Sequence, residues 1–344
     1  MSEAEVTRDG VRHRRPGREA VPGGRGGSRG RGGGRRRRNG RKGRGERTMV
    51  PDAEFTSYYG RPILKQPTWK ALDIAGYLFL GGLAGASSLL AAAAQASGRP
   101  GLARPCKIGA LGAISLSTAA LIHDLGRPGR FANMLRVMKP TSPMSVGSWI
   151  LAAYGPAAGV AAVTGATGLF PRIGRAATGW AALTGPAVVT YTGVLIADTA
   201  IPVWHGAYRE MPFLFAGSAA ASAGGLGLLT APTAENGPAR STAAFGAALD
   251  LGTGIVMRRR LGPLAEPYEQ GKAARLMRAA EVLTGTGAVA GLLAGGRSRS
   301  LATVAGAALL AGSAATRFAV FEAGRASAAD PKYVVQSQRS PEPG

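Results

Sequence analysis

Apolar residues arrive in blocks of about 20, separated by short stretches rich in Arg, Lys, Pro and Gly. Each block is long enough to cross the hydrocarbon core of a bilayer as a helix, which takes about 20 residues at a rise of 1.5 Å each. The blocks predict spans at about 72–95, 105–125, 147–170, 176–201, 213–231, 240–257, 276–295 and 300–322. Gly98 and Pro100 break the first pair, and Arg297 and Arg299 mark the only break between the last two. The pattern is that of an all-α integral membrane protein with about eight transmembrane helices.

Around these blocks the chain divides into four parts. Residues 1–48 hold sixteen Arg or Lys against five acids, and their GGRGGSRGRGGGRRRR run is low in apolar residues. Such a segment buries too little apolar surface to fold, so a disordered basic tail is expected. It suits anionic lipid headgroups or nucleic acid, or else translation starts at Met49 and the tail is not expressed. No apolar segment follows its Arg pairs closely enough for a signal peptide. Residues 49–71 read as an interfacial lead-in, with Tyr58, Tyr59 and Trp69 as aromatic anchors beside Arg61, Lys65 and Lys70. Trp204 and Tyr208 read as belt residues in the same sense. The transmembrane domain occupies 72–325, and a polar tail, expected to be mobile from about Asp330, closes the chain at 326–344.

Composition narrows the chemistry. A mean hydropathy of only +0.05 reflects Gly- and Ala-rich spans diluted by the tails. Small residues permit close helix approach in lipid, as at Gly81 and Gly85. A single cysteine, Cys106, allows no internal disulfide and no iron–sulfur cluster. Beyond His13 only His123 and His205 remain, both near predicted span ends, which does not suit a haem. No metal ligand set is expected, so metal centres would lie in another subunit.

Cation placement sets the expected orientation. Without residues 1–48, the N-terminal side collects fourteen Arg or Lys, including Arg61, Arg127, Arg136 and Arg258, against eight opposite, including Arg99, Lys107 and Arg299. Both termini are therefore expected in the cytoplasm.

The stretch LIHDLGRPGRFANMLRVMKPTSPMSVGSW, residues 121–149, ends one apolar block in a His-Asp pair. A basic, proline-broken loop with Arg127, Arg130, Arg136 and Lys139 follows it. Ionisable groups at the end of a lipid-soluble helix are costly to hold, which makes them functional candidates. HDLGRPGRF, NMLR and TSPMSVGSW resemble the NrfD family, the membrane subunits of polysulfide-reductase-like molybdoenzyme complexes. AGYLFLGGLAGAS at 75–87, and YTGVLIADTAIPVW with MPFLF at 191–215, agree in order and wording. The resemblance spans roughly residues 57–325 and implies two four-helix bundles in a bacterial plasma membrane. It also implies a quinone or menaquinone bound in the first bundle, as in anaerobic respiration. The implied partners are a ferredoxin-like iron–sulfur subunit and, beyond it, a molybdopterin catalytic subunit; nucleic acid is not an expected partner.

Span parity sharpens this reading without reference to absolute orientation. Asp73 and Tyr77 open span one, and His123 and Asp124 close span two. Asp198 lies near the end of span four, with Tyr191 about 10 Å deeper. Glu281 is near the start of span seven, Arg317 near the end of span eight, and Asp250 about mid-depth in span six. Nearly all intramembrane charge thus collects in one half of the bilayer. Quinone chemistry moves two electrons and two protons, so the headgroup needs hydrogen-bond donors and a proton relay. Tyr77 and Tyr191 are candidates to hold it, with His123, Asp124 and Asp198 as relay candidates. Arg127, Arg130 and Arg136 are candidates for partner docking. In the plainer readings Asp73 and Asp124 cap helices or pair with Arg127 and Arg130, and Glu281 pairs with Arg317. An ion- or solute-translocating transporter, or an anchor without ligand, are the alternative functions.

Overall fold

The computed structural model describes residues 6–7, 10–11, 63–65, 67, 69–126, 129 and 133–339. The chain divides into two units, Met1–Arg61 and Pro62–Gly344. In the first, the described residues are a short antiparallel pair, Val6–Thr7 with Gly10–Val11. The rest of the expected tail at 1–48, together with Tyr58, Tyr59 and Arg61, lies outside the described residues.

In the second unit each apolar block becomes one long helix. These are α1 (Ala71–Ala96), α2 (Pro100–Leu125), α3 (Pro143–Thr167) and α4 (Pro171–Ala197). They are followed by α5 (Met211–Thr230), α6 (Gly237–Leu261), α7 (Gly271–Ala294) and α8 (Arg299–Ala329). Several begin at proline, whose fixed φ and missing N–H suit the first turn of a helix. Among the described residues, seven of these helices are long and apolar enough to cross a membrane, so the chain is a multi-pass membrane protein. The helix below that threshold is α6, which carries Arg240, Asp250 and the run Arg258–Arg260.

Consecutive helices form four antiparallel hairpins, α1–α2, α3–α4, α5–α6 and α7–α8. Helix α1 also packs on α4 and α2 on α3, while α5 packs on α8 and α6 on α7. Contacts of α1 with α5 and α8, and of α4 with α5, join the two sets, and the largest apolar cluster draws on all eight helices. Small residues permit this closeness. A Cβ on Gly85 would fall 2.6 Å from the carbonyl oxygen of Gly185, so α1 and α4 meet backbone to backbone. Gly81 instead faces Ser117 of α2. The tight α1–α2 turn places Gly98 at φ 68°, which a residue without a Cβ adopts freely.

The expectation that Trp204 sits in an interfacial belt is corrected. Its ring is fully buried, stacks on Trp69 at 6.1 Å, and its Nε1 donates to the Val320 carbonyl at 2.7 Å. The short helix Pro202–Gly206 folds that segment back under α8, and Gly324 supplies the room. Tyr208 remains half exposed beside Arg209 and Arg260. Past α8, helix Pro331–Arg339 docks through Tyr333 and Val334, both buried.

Candidate functional site

The site is built where α1 begins and α2 ends. Asp73 lies in the first turn of α1, where the helix dipole favours a carboxylate, and His123 lies in the last turn of α2, where it favours a cation. Antiparallel packing brings these ends together, and His123 Nδ1 lies 2.9 Å from Asp73 Oδ2. The Asp73 carboxylate is largely covered, at 13% exposed, whereas the imidazole is 65% exposed. Asp124, half-buried beside them, accepts the backbone N–H of Lys70, the residue that precedes α1. Asp73, in that first turn, pairs with His123. Any pairing of Asp73 or Asp124 with Arg127 or Arg130 lies outside the described residues.

One turn further into α1, Tyr77 is buried. Its carbonyl accepts from Ser117 Oγ at 3.1 Å, which ties α1 to α2. The Tyr77 and Tyr191 side chains lie close enough to interact, yet among the described residues the Tyr77 hydroxyl has no hydrogen-bond partner of good geometry. Tyr191 reaches from α4 onto the start of α3: a Cβ on Gly147 would fall 1.8 Å from Tyr191 Cζ. Gly147, which belongs to the TSPMSVGSW run, therefore shapes the site although its lack of a side chain gave no chemical signal. Deeper in the same helices, Tyr154 and Ser88 share a buried hydrogen bond of 2.7 Å between α3 and α1. The sequence reading missed this pair; Tyr154 stood out only as a tyrosine within an apolar block.

The remaining candidates separate. Asp198 stands exposed at the C-terminal cap of α4. Arg136 is exposed in the loop before α3, where Ser145 Oγ accepts from the Lys139 N–H at 3.0 Å and donates to the Val137 carbonyl at 3.2 Å. Val137 and Met138 beside it are exposed too. Arg127 and Arg130 lie outside the described residues.

A second buried set lies among α5 to α8. Glu281 pairs with Arg258 at 2.6 Å, which corrects the expected Glu281–Arg317 pair. Arg317 is fully buried, donates to the Phe215 carbonyl at 2.7 Å and lies 3.8 Å above the Phe215 ring. It interacts electrostatically with Asp250, whose carboxyl is 3.5 Å from the Thr316 hydroxyl. Helices α7 and α8 run past their apolar blocks, so Glu281 and Arg317 lie ten and twelve residues from the helix ends. That is about 15–18 Å along the helix axis from each end. Among the described residues no group of His, Cys, Asp and Glu has the geometry to hold a metal ion.

No curated protein matches the chain. The family described as polysulphide reductase, NrfD, matches residues 64–258, a stretch that holds the whole α1–α4 site and ends at Arg258. The chain belongs to the NrfD family, the membrane subunits of polysulfide-reductase-type complexes.

Proposed function

We propose that the chain is the quinone-interacting membrane subunit of an oxidoreductase complex, exchanging electrons between the quinone pool and an iron–sulfur partner. The observation that carries this reading is the paired Asp73–His123 at the α1–α2 end, with the Tyr77 and Tyr191 side chains close together one turn below. Each of these hydroxyls can turn to donate to a headgroup carbonyl, a hydrogen bond that contributes about 0.5–1.5 kcal/mol. When bound, a quinone supplies two-electron, two-proton chemistry. The residues of this chain supply the rest. Tyr77 and Tyr191 orient the headgroup by donating hydrogen bonds. Exposed His123 exchanges protons with water, and Asp73 fixes its ring. Asp124 offers a second carboxylate on the same side.

In this reading α1–α4 form one four-helix bundle and α5–α8 a second, all eight helices crossing a bacterial plasma membrane with both termini in the cytoplasm. The iron–sulfur subunit docks on the 126–142 loop, where exposed Val137 and Met138 beside Arg136 and Lys139 suit a protein surface. A molybdopterin subunit lies beyond it. A second reading, ion translocation, is favoured by Asp250, which lines a small cavity with Arg258, Glu281 and Thr316.

Quinone carried through purification tests the site. Membranes solubilised gently should yield about one quinone per chain by solvent extraction. Tyr77→Phe and Tyr191→Phe should each weaken retention, up to about tenfold for one lost hydrogen bond. Unchanged quinone content in both variants would remove the tyrosines from the site.

A further inference from the structure

At the opposite end of α1 and α2 lies a cavity of about 400 Å³. It is bounded by the α1–α2 turn and by the end of α3 at Gly165. Three cations line it, Arg99, Arg104 and Lys107, and no carboxylate does. Lys107 is more than nine-tenths buried; its aliphatic stem lies against Gly165 and its ammonium donates to Gln95 Oε1. An ammonium carries three N–H donors, and Gln95 takes one. Arg104 donates to the Ala166 carbonyl at the end of α3. The Arg99 guanidinium makes no hydrogen bond or ion pair among the described residues. Glu235, outside the lining, accepts the Gly101 N–H at 2.6 Å.

Three like charges around one cavity repel, and burying a lysine among them costs more still unless an anion joins them. We propose that this cavity binds a phosphate group, either the phosphodiester of an anionic lipid headgroup or free phosphate. Arg99 and Arg104 present the forked donors that match phosphate oxygens, and Lys107 supplies a point charge behind them. The surroundings fit a lipid. Ile108, next to Lys107, is exposed, as are Leu169 and Phe170 just past Gly165, so acyl chains find apolar surface beside the charged cavity. Phe170 is held at φ 50°, a left-handed conformation that a bulky residue adopts at a cost, with its ring 67% exposed.

The test uses the full chain in phosphatidylcholine nanodiscs with a minor fraction of phosphatidylglycerol, and native mass spectrometry to count retained lipid. The wild type should retain phosphatidylglycerol in preference to phosphatidylcholine. Arg99→Gln/Arg104→Gln should lower that retention about tenfold, as expected for lost charge-assisted bonds. Arg104 also holds the end of α3, so Arg99→Gln alone, which breaks no described contact, should still lower it about threefold. A parallel arm adds inorganic phosphate to chain in phosphatidylcholine alone. A rise in melting temperature in the wild type and not in the variants, with equal phosphatidylglycerol retention, would assign the cavity to free phosphate. Equal lipid retention and equal phosphate response in all three proteins would overturn the proposal.

Discussion

Several arginines counted as orientation signals act as helix caps. The last carbonyls of a helix have no intrahelical donor, and a cation placed there satisfies them while opposing the negative end of the dipole. Arg299 donates to the carbonyls of Leu228, Leu229 and Ala231 at the end of α5, Arg104 to Ala166 at the end of α3, and Arg260 to Gly206 while also gripping Glu210. Arg299→Ala should therefore cost about 2 kcal/mol or more, read as a lower melting temperature of the purified chain in detergent. Arg299→Lys should recover part of it. At the proposed site, Gly147→Ala forces the Tyr191 ring to move, so it should raise the apparent KM for quinol without releasing the partner subunits; an unchanged KM would separate Tyr191 from quinone binding. The ionisable residues themselves were legible in the sequence, because charge in an apolar block is conspicuous. Their partners were not. His123 bonds Asp73, fifty residues away, rather than its neighbour Asp124, and Glu281 bonds Arg258 rather than Arg317. Partner choice depends on how each helix is rotated, and helices apolar on nearly every face leave rotation unmarked.

Helix positions, by contrast, were readable to within a few residues, because a block of about 20 apolar residues has one economical structure in lipid. The ends were not. Helix α8 runs to Ala329 and α7 starts at Gly271, since Arg, Lys and Glu sustain a helix in the interfacial region as well as apolar residues do. Helix α6 is the test of span number. If it crosses, topology reporters fused after Gly98 and after Asn236 should face one side and a reporter after Pro263 the other; Asn236 and Pro263 on one side would leave seven spans. Beside the buried Tyr333 and Val334 of the helix Pro331–Arg339, Lys332 donates to Glu266 at 2.5 Å. That bond keeps the Glu266 carboxyl below its ordinary range. A depressed folded-state value means the contribution is present above the ordinary carboxylate pKa and is lost as pH falls through the depressed one. Limited proteolysis near Pro331 should accelerate only in acid, and Lys332→Ala should give the same acceleration at neutral pH.

At the scale of the whole molecule, charge and chemistry are segregated. The family match begins at residue 64, beyond the basic tail. Deleting residues 1–48 should leave membrane insertion and complex assembly intact, measured by co-purification of the partner subunits; loss of assembly would give the tail a lipid or nucleic-acid role. One end of α1–α4 holds the Asp73–His123 pair, and the opposite end holds the cationic cavity. Asp124 lies at the first of these ends, beside Asp73 and His123. Asp124→Asn keeps the shape and the acceptor oxygen for Lys70 but removes the proton-accepting carboxylate. The most direct measurement compares, in the same membranes, quinol-dependent electron transfer with partner activity driven by an artificial soluble donor. The account predicts that Asp124→Asn suppresses quinol-dependent transfer while the artificial donor still works at the wild-type rate. Quinol-dependent transfer at the wild-type rate would contradict it, and loss of both activities would show that Asp124 holds α1 against α2 instead.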